Sequence, residues 1–487
     1  PVSGWRLQTC GPGMPGPYRV IIPLISTLPK KEDPAMRNRH LAAIPLAALL
    51  LTACASAVPA QPADATTSPS AAASSPAQPD AAASSPSQSA AETSAPPLTP
   101  KFPVGHLLTL PQNQNSGPVW NTGDALYELR DASNMTPEAL VLKTDYAALT
   151  QSVYCDIPGC THDSDACPAY LASDFCVGVM AVDGTVYTYP GELTNVAPTQ
   201  IYRIDPAAGK TPVAAVPDAL PHHMQLQWCD EYALYGCPLA ASHQPGTLYR
   251  WDWQNDTVQT IPMLADEKII ACEGSRFLTI RIEANEPFPN FGSTEQEKAI
   301  LAHAVYVYAW LDPATGAREK ICTRPYADGY FHNYYDGRIY YTGNFRNADT
   351  PGQQAALLYF DTADGTEKTL LETIPFDTYG IDVCEPFSPA FAGVPQRYLR
   401  VLNVGDAYAD CLLDMETGDV LPAPAVTVEG VRRPALLLAC TASGQWLTTA
   451  NPRDGYDPQY SLYALWDPAD FLADRQPAAW VTMYATE

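Results

Sequence analysis

From residue 138 onward the chain alternates short apolar runs with tight polar breaks, and one unit keeps returning. It reads "ALVLKTDYAAL", "IYRIDPAAGKTPV", "LYRWDWQNDTVQTI", "VYVYAWLDPATGAREKI", "LLYFDTADGTEKTLL", "CLLDMETGDVL" and "LYALWDPADF". Each copy is a strand-like run rich in Tyr, Leu, Val and Trp, then an aspartate opening a turn, then usually a second strand. The aspartates are Asp145, Asp205, Asp252, Asp312, Asp361, Asp414 and Asp467, spaced by 60, 47, 60, 49, 53 and 53 residues. Upstream hairpin signals accompany them, as in "VMAVDGTVYTY", "LQWCDEYALYG" and "NYYDGRIYY". Four short strands per unit of roughly fifty residues predict an all-β fold, a β-propeller of seven four-stranded blades over residues 101–487.

Loop lengths divide the expected ring into two faces. Connections from first to second and from third to fourth strand are tight, as in "VDG" and "DPAAG". Second-to-third connections are long, as in "EANEPFPNFGSTEQEKAILAH" and "TGNFRNADTPGQQAA". In an up-and-down blade the long connections share one face with the links between blades, and binding is usually placed on such loops. The stretch "CDIPGCTHDSDACPAYLASDFC" is expected to be an inter-blade link on that face.

The N-terminal region follows a different pattern. The run "MRNRHLAAIPLAALLLTACASA" from Met36 sets Arg37 and Arg39 before an apolar stretch and then small residues. It is too short and wrongly flanked to span a membrane and reads as a secretory signal over residues 36–53. Residues 1–35 are expected to be translated upstream sequence outside the folded protein. Residues 54–100, almost wholly Ala, Ser, Pro, Gln and Thr, cannot bury enough apolar surface to offset their ordering entropy. They are expected to form a disordered tether with a root-mean-square span of about 40 Å.

Net charge is −25 at pH 7, and residues 1–53 hold six basic and two acidic side chains, so the remainder is near −29. Phosphate binding needs the opposite sign, which argues against a nucleic-acid partner.

Within the thirteen residues 155–167, Cys155, Cys160, His162 and Cys167 offer three thiolates and an imidazole. That donor set suits one structural zinc ion and leaves no coordination position free for catalysis. The spacing matches no common zinc finger, and export permits disulfides, so one bridge with a spare thiol, or three free thiols, stand beside the metal. Cys176, Cys229, Cys237, Cys272, Cys322, Cys384, Cys411 and Cys440 mostly fall one per strand in apolar runs and are expected in the core. Cys229 and Cys237 flank a turn and are candidates to face each other across a hairpin.

The aromatic run at residues 330–345 includes Tyr330, His332, Tyr334 and Tyr335. Its rings either pack an inner hairpin or stand near the mouth, where they would stack on sugar rings or hold a peptide. His222 and His223 in "LPHHMQ" are expected to be exposed loop residues. The sequence contains no Gly-x-Ser-x-Gly elbow, phosphate loop or His-Glu-x-x-His motif.

Two resemblances extend this reading. Residues 51–54, Leu-Thr-Ala-Cys, resemble the lipobox of bacterial lipoproteins, which implies that Cys54 is diacylated and becomes the mature N-terminus. The repeats resemble those of bacterial extracytoplasmic propellers of the "lyriDpxtGk" type. "AWLDPATGAREKI" and "LLDMETGDVL" are also similar to the quinoprotein-type repeat, but the tryptophan that usually follows its Thr-Gly is missing. That departure speaks against quinone binding. Together these features lead us to expect a lipoprotein anchored by membrane lipid on the extracytoplasmic face of the cell membrane. Its propeller is expected to be a non-catalytic binding or scaffolding module for a glycan or peptide. The rival expectation is a glycan-active enzyme with a carboxylate pair in the central cleft.

Replacing Cys54 with alanine is expected to move the protein from the membrane fraction to the soluble fraction of a bacterial host. Membrane association retained after verified signal cleavage would contradict lipidation.

Overall fold

The repeat aspartates all do the same physical work at the strand ends. Asp145 Oδ1 accepts the N–H groups of Ala147 and Ala148 at 3.1 and 3.0 Å, and Asp205 Oδ1 accepts those of Ala207 and Ala208. Asp252, Asp312, Asp361 and Asp414 accept from Asn255, Ala314, Ala363 and Glu416. The carboxylate satisfies donors that a reversing backbone would otherwise leave bare, which is why aspartate opens each turn. Asp467 uses the same bond, to Ala469 N–H at 2.9 Å, to cap the helix Pro468–Leu472. Three of the turns close on a left-handed residue supplied by Gly316, Gly365 and Gly418, with φ of 75°, 69° and 79°.

The structure is a computed structural model that describes residues 99–110, 119–131, 138–172, 177–193, 199–238, 243–288, 294–328, 331–343, 356–373, 397–401, 411–422, 425–428, 430–450 and 462–484. Its strands form six antiparallel sheets of four or more strands. Blade 1 comprises Val119–Asn121, Ala125–Asp131, Ala139–Asp145 and an outer strand discussed below. Blade 2 comprises Val177–Val182, Thr185–Pro190, Gln200–Asp205 and Gly209–Ala215; blade 3 comprises Met224–Cys229, Leu234–Pro238, Pro245–Asp252 and Thr257–Ala265. Blade 4 comprises Lys268–Glu273, Arg276–Glu283, Val305–Leu311 and Arg318–Pro325; blade 5 comprises Phe331–Tyr335, Arg338–Gly343, Ala356–Asp361 and Thr366–Leu371. Leu436–Cys440, Trp446–Ala450, Leu462–Trp466 and Ala479–Trp480 make blade 6.

Among the described residues the all-β propeller thus shows six blades of four or more strands, not the seven expected. The unit around Asp414 forms a three-stranded sheet, Tyr398–Val401, Cys411–Asp414 and Val420–Pro422, followed by the hairpin Ala425–Val428 with Val431–Pro434. An aspartate marks only the end of a unit's third strand, so counting aspartates overcounts complete blades. Residues 374–396, which precede this sheet, lie outside the described residues, as do residues 1–98 with Cys54. Among the described residues no helix is long and apolar enough to cross a membrane.

The core runs around the ring, between sheets. One cluster joins blades 1, 2 and 3 through residues such as Leu142, Val179 and Leu226. Others join blade 3 to blade 4 through Tyr235 and Phe277, and blade 4 to blade 5 through Tyr308 and Tyr341. Tyr340 packs with Leu413 and Met415 of the three-stranded sheet, and Leu412 with Trp446 and Trp466 of blade 6. The last cluster packs Leu447 and Leu465 of blade 6 against Val119 and Leu126 of blade 1, so the ring closes. Each such side chain contributes about 1.5–3 kcal/mol by leaving water.

Polar contacts fix the closing seam. Ala442 N–H donates to Gly123 C=O at 2.8 Å, and the backbone of Thr482 exchanges bonds with Leu149 and Gln151 at 2.8 Å each. Beneath them Glu128, 2% exposed, accepts from Arg130 and Gln151 at 2.8 Å and from the Tyr463 hydroxyl of blade 6 at 2.5 Å. Arg130 also donates to Tyr484 C=O at 3.4 Å.

Before blade 1, residues 101–110 form a strap across the tight turns of blades 3 and 4. Lys101 N–H donates to Ala314 C=O, Leu107 N–H to Gly274 C=O and Leu110 N–H to Gln227 C=O, at 3.0, 2.7 and 2.7 Å. Gly105 and His106 N–H groups donate to the carboxylates of Asp230 and Glu231. Leu108–Thr109 then pairs with Cys229 and Trp228 on the first strand of blade 3. The fully buried Arg250 guanidinium holds the strap from below, donating to Pro103 C=O at 3.2 Å and lying 4.7 Å from the Phe102 ring centroid.

Glu128→Ala strands the Arg130 guanidinium in the seam and is expected to cost about 3–5 kcal/mol in urea unfolding. The double change Glu128→Leu with Arg130→Met is expected to recover most of that loss. Equal midpoints for wild type and Glu128→Ala would show that the seam does not depend on this pair.

Candidate metal centre

The outer strand of blade 1 is interrupted. Thr150–Val153 pairs with the C-terminal half of the Asp145 strand, Leu142 opposite Val153. Tyr170–Leu171 resumes on the same edge, opposite Leu140 and Ala139. Between the two segments Tyr154 N–H donates to Val141 C=O, and Val141 N–H donates to Ala169 C=O, both at 2.9 Å. Residues 155–168 are thus an excursion whose two ends are pinned to one residue. This corrects the expected inter-blade link on the long-loop face. A two-residue strand carries no periodicity, so the return to the sheet at Tyr170 could not be read from the pattern.

Local turns fold the excursion inward. Cys160 N–H donates to Ile157 C=O at 3.2 Å and Cys167 N–H to Ser164 C=O at 2.9 Å. Gly159 and His162 take left-handed backbone, φ 72° and 59°. The result brings one ligand atom from each of Cys155, Cys160, His162 and Cys167 within 4.8 Å of the others. His162 Nδ1 lies 3.3 Å from Cys167 Sγ.

Each sulfur also receives a backbone N–H from two residues downstream: Ile157 for Cys155, His162 for Cys160 and Ala169 for Cys167. Such donors favour thiolate over thiol. For Cys160 the His162 N–H prevails and lowers its pKa. For Cys155 and Cys167 burial prevails and raises it, to about 12 for Cys167. A divalent cation held by these groups would resolve that opposition, since it would favour the thiolates and compensate their charge at once. The described cysteines, these three included, are free. The four groups can hold a metal ion.

The remaining candidates lie elsewhere. Tyr334 and Tyr335 stand at the tight-turn end of the first strand of blade 5, with Asp336 and Gly337 forming the turn. Tyr334 is buried and donates to Glu273 of blade 4, and Tyr335 donates to Glu416 beyond the Asp414 turn at 2.9 Å. Burial first, then the accepting carboxylate, raises both phenols, to about 12 for Tyr335. Both hydroxyls therefore tie neighbouring sheets together. His332 lies in the same strand with its side chain outside the described residues, as is Tyr330 altogether.

Cys229 pairs with Leu234 and Cys237 with Gln225, so the two do not face each other. Cys229 is buried, whereas Cys237, Cys272, Cys322 and Cys440 are half-buried. His222 and His223 are exposed. Sequence reading missed the Glu128–Arg130 pair and Lys210, which meets the excursion from blade 2. Lys210 occupies the lysine position of a common repeat, so nothing in the pattern set it apart.

No protein-family model matches the chain. No curated protein matches it either. Among solved structures it is similar to the β-propeller domain of the Trilobed protease from Pyrococcus furiosus, with TM-score 0.41, 8% identity, and 74% of this chain and 96% of that chain covered. It is similar also to Pyrococcus horikoshii acylaminoacyl peptidase, with TM-score 0.42, 11% identity, and 73% and 51% covered, about half the length of that enzyme. A third is oligogalacturonate lyase in complex with manganese, with TM-score 0.34, 11% identity, and 74% and 83% covered. These likenesses concern general architecture alone, and no site residue is carried over from them.

Metal-stripped protein without a histidine tag is expected to bind one equivalent of Zn²⁺ and thereby shield Cys155, Cys160 and Cys167 from alkylation. His162→Ala is expected to weaken binding at least tenfold. Alkylation rates indifferent to zinc would rule the centre out.

Proposed function

We propose that this chain is a lipid-anchored propeller on the extracytoplasmic face of the cell membrane, a non-catalytic module that binds a glycan or peptide through its long-loop face. Cys54 carries the anchor, and a single structural zinc ion orders residues 155–167. The zinc assignment follows from the donor set: three sulfurs and one imidazole suit a closed tetrahedral site that leaves no position for substrate.

The observation that supports a binding surface is a groove on the long-loop face. The long connection between Arg276–Glu283 and Val305–Leu311 carries the helix Thr294–Leu301, which lies beside the link Tyr326–Asp328. Between them is a shallow cavity of about 210 Å³ lined by Lys298, Leu301, Ala302, Tyr326 and Ala327. Its walls are mainly apolar, with the Tyr326 ring on one side and Lys298, whose ammonium donates to Glu295 at 3.2 Å, on the other. An amphipathic ring over such a surface suits a sugar or peptide face. Tyr326 is held by the Tyr306 ring, centroids 4.8 Å apart, so the platform is presented on the sheet itself.

The test is a glycan and peptide array probed with a soluble form beginning at Lys101. Leu301→Asp places a charge in the cavity and is expected to weaken the retained ligand at least tenfold without moving the thermal midpoint. Undiminished binding by that variant, or turnover of an arrayed glycan, would overturn the reading.

A further inference from the structure

The outer strand of blade 2, Gly209–Ala215, has little support of its own. Four of its seven residues are exposed and none is fully buried, and Pro212 removes one donor from the ladder. Support arrives from blade 1. Asp156 N–H donates to Pro206 C=O in the blade 2 turn at 2.8 Å. In return the Lys210 ammonium reaches the excursion, donating to Tyr170 C=O and to Asp165 Oδ1, the latter at 3.0 Å, and lying 5.7 Å from the Tyr170 ring centroid. The Lys210 side chain is 13% exposed and that of Asp165 80%, so the ammonium acts mainly at the sheltered carbonyl.

These contacts bracket the metal ligands. Asp156 follows Cys155 directly, and Tyr170 N–H donates to Cys167 C=O at 3.3 Å. We propose that Lys210 is a positioning residue for the metal centre, and that metal loading fastens the outer hairpin of blade 2 to blade 1. This rests on the reading of residues 155–167 as a zinc site. A bound ion holds Cys155 and Cys167 at fixed separation, so both contact points meet blade 2 with the loop's ordering entropy already spent. Conversely, Lys210 holds the Tyr170 carbonyl and with it the Cys167 end of the site. Its charge also opposes the single net negative charge left by three thiolates, a neutral imidazole and a divalent ion. Coupling of this kind is reciprocal: whatever Lys210 adds to zinc affinity, zinc adds to hairpin docking.

The experiment uses the full chain purified without a histidine tag, metal-stripped, and titrated with Zn²⁺ against a chromophoric chelator. Wild type, Lys210→Met, Lys210→Arg and Asp165→Asn are compared, and hydrogen exchange is followed across residues 200–215 with and without zinc. All four proteins are expected to bind one equivalent. Lys210→Met should bind roughly tenfold or more weakly, the range for partners that orient metal ligands; Lys210→Arg should recover most of that loss, and Asp165→Asn should change affinity little. Zinc should slow exchange in 206–215 of the wild type and leave peptides from 305–325 unchanged. Equal zinc affinity in Lys210→Met, or hairpin exchange indifferent to zinc in the wild type, overturns the coupling while the zinc site stands. Failure of the wild type to bind zinc overturns the site and the coupling together.

Discussion

A twisted four-stranded sheet has two apolar faces and can cover neither alone. Each blade here obtains its cover from the next, so the last must reach the first or two faces remain wet. The cluster of Val119, Leu126, Leu447 and Leu465 is where that condition is met. Apolar packing by itself is indifferent to a one-residue slip between neighbours. The buried Glu128 and Arg130 groups of blade 1 are not, because a slip would take the Tyr463 hydroxyl from Glu128 and the Tyr484 carbonyl from Arg130. The seam thus combines a non-directional contact that drives closure with a directional one that sets its register.

Much of this ring was legible in the sequence because its turns use one device. A carboxylate accepting from the following N–H groups needs aspartate at one position, and all seven repeat aspartates make that bond. What the device marks is the end of a unit's third strand, an outer hairpin in six cases and a helix cap at Asp467, and not a complete blade, so the blade count was overestimated. Bulges escaped entirely. The first strands of blades 3, 4, 5 and 6 each slip register once, as between Leu226 and Trp228 or Ile269 and Ala271. A bulge adds twist without a residue type that announces it.

The cluster of three cysteines and a histidine was legible as a set and not as a place. Their spacing suggested a shared ion, while the short return strand at Tyr170 hid the fact that the loop begins and ends at Val141. Tyr334 and Tyr335 were legible as rings of a hairpin but not as a link between sheets. Aromatic residues near a turn look alike in the pattern, and the carboxylates that accept from these two, Glu273 and Glu416, lie 61 and 81 residues away in sequence.

The N-terminal strap has a mechanical consequence. Any pull transmitted along the chain into residue 99 meets Lys101, Leu107 and Leu110 in turn, bonded to Ala314, Gly274 and Gln227 respectively. The first two acceptors belong to blade 4 and the third to blade 3, so tension is shared between two neighbouring sheets before it reaches blade 1. The Phe102 ring against Arg250 adds friction where peeling would start. A strap of this kind works as a strain relief: load on the leading chain is taken up at the rim, and the closing seam stays unloaded.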